Sequence, residues 1–226
     1  MNLSWPKKLL HSETELLERC NLIEGLSFAQ LAASLEITIP TEQQRRKGWT
    51  GLAIELALGT TAGSKPIPDF CNLGIELKTL PLNERGKPAE STFVTSIPLL
   101  TLHQQDWQSS QCYAKLKRVL WLPIEGDRTI PFEQRRIGRG FLWSPTQCEE
   151  RVLANDWNEL AAMISTGRLD EINARIGQYL QIRPKAANAR SLCHGFDSEG
   201  NKILTLPRGF YLRSSFTATL IENNMV

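Results

Sequence analysis

The chain has 226 residues, 41% hydrophobic and 22% charged, with Gly and Pro spread along it. That composition suits a folded protein able to bury a core without disulfide or metal staples, and it excludes a disordered or low-complexity chain. A formal net charge of +2 is too mild to announce a nucleic-acid partner, and no stretch approaches the roughly 20 apolar residues that span a bilayer.

Ser12-x-x-Glu15 and Ser27-x-x-Gln30 read as capping boxes, which predict one helix from near Glu13 and a second from near Phe28, with Gly25 between them. A third helix is predicted from about Thr50 to Leu58, stopped by Gly59. Its single charge, Glu55, lies in so apolar a segment that it must sit at the rim of a site or be paired. In the turn-rich stretch that follows, Gly59-Thr60-Thr61-Ala62-Gly63-Ser64-Lys65 looks like a phosphate loop. It is one residue short, and Pro66 stands where a Ser or Thr should open a helix, so nucleotide hydrolysis is not expected.

From Ile75 the pattern changes to period two: Ile75 and Leu77 face a core, while Glu76 and Lys78 share the opposite face. Strands are predicted over Thr92 to Ile97 and Val119 to Ile124, the second fed by Lys115-Leu116-Lys117-Arg118. Helices follow near Glu149 to Ile164 and Arg168 to Tyr179, then short strands at Leu180 to Arg183, Lys202 to Leu206 and Gly209 to Arg213. The expected fold class is α/β or α+β, with one central mixed sheet flanked by helices and a basic, hairpin-like C-terminal lobe. The expected division is a catalytic lobe over about residues 1–150 and a recognition lobe over 151–226. From Gln181 to Arg213, the basic residues Arg183, Lys185, Arg190, Lys202, Arg208 and Arg213 outnumber Asp197 and Glu199; such an excess suits phosphate contact or a plain solvated face.

The five cysteines are scattered and form no C-x-x-C pair, so reduced and mostly buried thiols are expected in place of a disulfide framework or zinc site. Cys193-His194 lacks further ligands at suitable spacing. The residues from Met1 to Lys8 lack the apolar region of a signal peptide, so a cytoplasmic protein is expected.

The chemistry concentrates in Asp69-Phe70-Cys71-Asn72-Leu73-Gly74-Ile75-Glu76-Leu77-Lys78, which fits D-x(6)-E-x-K. Two converging carboxylates make a hard oxygen site suited to Mg²⁺, and a lysine beside them can steady developing charge or take up a proton. As a bare pattern the match is weak, since an ion pair on an exposed strand would give the same letters. Glu55 on the preceding helix and Lys115 before the later strand could face the same site.

Longer blocks carry more weight. Lys47-Gly48-Trp49-x-Gly51, Ala62-Gly63-Ser64-Lys65-Pro66-x-x-Asp69-Phe70, Gly74-Ile75-Glu76-Leu77-Lys78-Thr79, Lys115 to Trp121, Arg183-Pro184-Lys185-Ala186-Ala187-Asn188-Ala189 and Leu206 to Tyr211 together resemble the MutH family of DNA mismatch-repair endonucleases. The resemblance implies a restriction-endonuclease-like fold of two lobes around a DNA cleft. It implies nicking of the unmethylated strand at hemimethylated GATC sites, stimulated by MutL after MutS has found a mismatch. By position it implies that Asp69 and Glu76 bind Mg²⁺, that Lys78 is the catalytic lysine, and that Glu55 and Lys115 assist, with Lys117 an alternative to Lys115. Lys47, Arg183, Pro184, Lys185 and Tyr211 would lie on double-stranded DNA. Tyr211 is the candidate methyl sensor: Gly209 would let the backbone turn closely, and period two would point Tyr211 away from a core-facing Phe210. The other reading of Tyr211 is a packing residue. Two other functions fit the same letters, a restriction endonuclease that cuts both strands of GATC and a DNA-binding accessory protein that does not cut. A single motif in a chain of this size favours a monomer that nicks one strand.

Overall fold

The computed structural model describes residues 10–60, 67–186, 188 and 190–224, with the side chain of Lys47 excepted. The phosphate-loop-like stretch and the Ala62 to Pro66 block therefore fall largely outside the described residues. In chain order the elements are α1 (Glu13–Ile23), α2 (Phe28–Leu35), α3 (Gln43–Leu58), β1 (Glu76–Leu82), β2 (Thr92–Ser96), α4 (Gln111–Leu116), β3 (Val119–Glu125), β4 (Phe141–Trp143), α5 (Gln147–Ser165), β5 (Leu180–Pro184), β6 (Cys193–Phe196), β7 (Lys202–Thr205), β8 (Arg208–Leu212) and α6 (Ser214–Asn224). Among the described residues no helix is long and apolar enough to cross a membrane.

Two compact units divide the chain, and both are discontinuous in sequence. The first comprises residues 1–89 and 118–143, the second residues 90–117 and 144–226. A boundary near residue 150 would fall inside α5, within the second unit.

The first unit holds α1 to α3 and a three-stranded mixed sheet in the order β1-β3-β4. β1 and β3 run parallel with Glu76 opposite Val119 and Lys78 opposite Trp121, and β4 closes the other side antiparallel. Central β3 is buried at every position from Val119 to Ile124, as expected of a strand covered on both faces. The helices start where their caps dictate. Ser27 and Gln30 form the full reciprocal box at α2, whereas at α1 Ser12 accepts from Glu15 N–H while the Glu15 carboxylate takes the His11 N–H at 2.7 Å. α3 begins at Gln43, earlier than its apolar run suggests, because the polar first half is carried by the same helix.

The second unit holds α4 to α6, an antiparallel sheet β2-β8-β5 and the β6-β7 hairpin. The single central sheet expected from the sequence is thus replaced by three small ones, and the Thr92 strand pairs with β8 instead of with β1 or β3. The helix expected from Arg168 to Tyr179 is also absent; only a 3-10 turn at Leu169–Glu171 forms. Buried Asp156 on α5 accepts the N–H groups of Gln178, Tyr179 and Leu180 at 2.8, 2.6 and 2.8 Å, and Arg213 donates to the carbonyls of Ile176 and Gly177. Backbone groups satisfied in this way have no need of a helix ladder.

Candidate active site

The x(6) spacing has a structural cause. Phe70 and Ile75 exchange backbone hydrogen bonds across a tight turn, in which Gly74 adopts φ +67°, a left-handed conformation that favours glycine. The turn folds Asp69 back beside β1, where its Oδ2 accepts the Leu77 N–H at 2.8 Å. One carboxylate is therefore pinned to the backbone between the other two members of the motif.

Glu76 and Lys78 project from the same face of β1, and Lys78 Nζ stands 3.3 Å from Glu76 Oε1. Both side chains are only 6% exposed. The exposed-strand alternative is thus right about the ion pair and wrong about its setting, for a charge pair this dry needs a reason other than surface solubility. Trp121, the in-register neighbour of Lys78 on β3, is fully buried and lies edge-on to Trp143 with ring centroids 6.3 Å apart. An indole there gives the lysine a low-dielectric flank.

The strand is also held from behind. Glu76 N–H donates to the Arg118 carbonyl at 3.0 Å, and the Arg118 guanidinium grips Glu13 of α1 through both carboxylate oxygens, with Nε to Oε1 at 2.8 Å. That hydrogen bonding holds the Glu13 carboxyl below the usual range.

Glu55 is half-buried on α3, between exposed Leu52 and Leu56 on one side and buried Ile54 and Leu58 on the other. No group of three or more His, Cys, Asp or Glu side chains gathers for a metal among the described residues. Two carboxylates match Mg²⁺ chemistry nonetheless, because that ion keeps several waters and takes one or two carboxylates beside substrate phosphate oxygens. Lys115 lies in the last turn of α4 and Lys117 caps the same helix, so strand parity does not distinguish them.

In the second unit Arg183 and Tyr211 lie on one face of β2-β8-β5, and Pro184 falls on the alternate face with Phe210. Phe210 is buried against Trp157, while Tyr211 on the alternate face is half-buried, edge-on to Phe93 at 5.3 Å. Arg183 lies over the Tyr211 ring at 6.0 Å and donates to Ser91 Oγ at 2.7 Å. Lys185 Nζ lies 3.2 Å from the centre of the Phe93 ring. Pro184 and its two basic neighbours are exposed. Gly209 serves a purpose other than turning the chain: a Cβ there would stand 2.8 Å from Phe93 Cε2 and 3.1 Å from the Thr95 carbonyl. Sequence reading missed Ser91 and Phe93, since a Ser and a Phe on an ordinary strand carry no signal. Lys47 lies on α3, its side chain outside the described residues.

The thiols are less buried than expected: Cys20 and Cys112 are buried, Cys193 is intermediate, and Cys71 and Cys148 are exposed. Cys193 and His194 sit on β6 with no metal cluster among the described residues.

Comparison with known proteins finds a family model described as "DNA mismatch repair enzyme MutH" matching residues 58–156. A "DNA mismatch repair protein MutH" of Vibrio campbellii is 50% identical over 215 residues, covering 95% of each chain. Relatives with the same description from Shewanella sp. (strain MR-4) and Escherichia coli O9:H4 are 48% and 46% identical, covering 92% and 99% of this chain and 94% and 99% of their own.

Proposed function

The chain belongs to the MutH family of DNA mismatch repair enzymes, and from that premise we propose that this mismatch repair endonuclease nicks the unmethylated strand of hemimethylated GATC by Mg²⁺-dependent phosphodiester hydrolysis. The observation that carries the reading is the dry Glu76–Lys78 pair beside a backbone-pinned Asp69. Asp69 and Glu76 would hold the ion, which when bound supplies Lewis-acid charge to a phosphate oxygen.

The protein's own groups then have distinct tasks. Asp69 is fixed by the Leu77 N–H, so its carboxylate loses little freedom when it engages. Lys78, held 3.3 Å from Glu76, presents an ammonium to charge developing on the phosphoryl oxygens, where fixed electrostatics contribute most. In-line attack by water expels the 3′ oxygen and leaves a 5′-phosphate and a 3′-hydroxyl. Glu55 and Lys115, or Lys117 in place of Lys115, assist catalysis, and Lys47, Arg183, Pro184, Lys185 and Tyr211 contact the duplex. Arg183 or Lys185 can read guanine N7 and O6, and Tyr211 the adenine N6 edge, where methylation is sensed in the major groove.

The enzyme acts as a monomer on double-stranded DNA, stimulated by MutL with MutS upstream. The bacterial origin of the relatives supports a cytoplasmic reaction. The test is cleavage of unmethylated, hemimethylated and fully methylated GATC duplexes with each strand labelled separately. On the hemimethylated duplex Mg²⁺-dependent cutting confined to the unmethylated strand is expected; equal cutting of both its strands, or none, refutes the proposal.

A further inference from the structure

We propose that Ser91 is a positioning residue for sequence recognition, fixing the Arg183 guanidinium for base reading before DNA arrives. The inference rests on the reading of Arg183 as a DNA contact. Ser91 lies just before β2, half-buried, and its Oγ accepts from Arg183 Nη1 at 2.7 Å.

An exposed arginine has many rotamers, and ordering it on binding opposes affinity. Here two contacts restrict it. The Ser91 hydroxyl holds one terminal nitrogen, while the guanidinium carbon lies over the Tyr211 ring at 6.0 Å. A guanidinium has five N–H donors, so one bond to Ser91 leaves a fork for a guanine edge. The backbone enforces the juxtaposition: Phe93 pairs with Tyr211 across β2 and β8, and Arg183 pairs with Gly209 across β5 and β8. β2 thereby bears on specificity although it carries no basic residue of its own.

The test compares Ser91→Ala, Ser91→Thr, Arg183→Ala and the Ser91→Ala/Arg183→Ala double variant. The reading is kcat/KM for Mg²⁺-dependent nicking of a GATC duplex divided by that for duplexes with single-base changes, with melting temperature followed in parallel. Ser91→Ala is expected to reduce that ratio by about three- to tenfold, the scale of the net contribution of one ordinary hydrogen bond. Ser91→Thr should restore the ratio by restoring the hydroxyl, and Ser91→Ala should add nothing in the Arg183→Ala background. A purely structural serine would lower the melting temperature and activity on all duplexes alike, leaving the ratio unmoved. An unchanged ratio in folded Ser91→Ala, with Arg183→Ala reducing it, overturns the positioning role alone. An unchanged ratio in Arg183→Ala overturns both the role of Ser91 and the assignment of Arg183.

Discussion

Glu76 and Lys78 form a buried ion pair, so removing either takes a charged partner from the other in a dry setting. Glu76→Ala and Lys78→Ala are expected to abolish Mg²⁺-dependent nicking, while affinity for a GATC duplex stays within about tenfold, or ~1.4 kcal/mol; retained nicking in either variant would remove them from the active site. The isosteric double change Glu76→Gln/Lys78→Met removes both charges together. Chemical denaturation should find it at least as stable as the parent and more stable than Lys78→Ala, because a buried pair often contributes less than the apolar contacts that could replace it. A double variant weaker than Lys78→Ala would show that the pair itself stabilises the fold. On the β2-β8-β5 sheet, Tyr211→Ser should preserve the melting temperature and narrow strand discrimination on hemimethylated duplex by about 1–3 kcal/mol, the usual worth of one base-edge contact. Full discrimination in the folded variant would move the sensor elsewhere, and a collapsed melting temperature would assign Tyr211 to packing against Phe93. The letters of the motif were legible because alternation on a strand is local. Ser91 and Phe93 were not, because what matters about them is which distant strand they lie beside.

Elements that obey local chemistry were also readable. The helix at Phe28 begins at its capping box, and β1 and β3 follow period and β-branched or apolar content. The failures trace to distant partners. Arg168 to Tyr179 reads as a helix, yet Asp156 takes the N–H groups of Gln178, Tyr179 and Leu180, and Arg213 takes the carbonyls of Ile176 and Gly177; neither partner leaves a trace in the segment itself. Asp156→Ala should cost about 2 kcal/mol in urea unfolding, because three backbone N–H groups, one of them on buried Leu180, lose their acceptor; a loss under ~1 kcal/mol would mean that β5 holds its approach unaided. A milder case is Glu13 with Arg118. Its carboxyl is held below the ordinary range by the guanidinium, so its contribution is present above the unfolded-state pKa and is lost as pH falls through the folded value. Partial exposure keeps that contribution below about 1 kcal/mol. Glu13→Gln should therefore melt slightly lower than the parent at neutral pH and coincide with it in acid; a constant gap at all pH values would assign the effect to packing.

Across the whole molecule, thiol chemistry offers a probe of integrity. Burial pushes Cys20 up to about 12, and Cys112 is buried as well, so a thiol reagent should modify Cys71 and Cys148 in the native protein and reach Cys20 and Cys112 only on unfolding. Rapid native labelling of Cys20 would contradict the packing of α1. The interleaving of the two units has a consequence for biosynthesis. The strand that bears Glu76 and Lys78 is paired on its inner side by β3, whose residues leave the ribosome only after the first segment of the second unit has been made. A nascent chain stopped near residue 89 would expose the edge of β1 and the apolar residues destined to meet β3, an invitation to mispairing. Translation thus completes the candidate active site only once more than half of the chain has been read from the message.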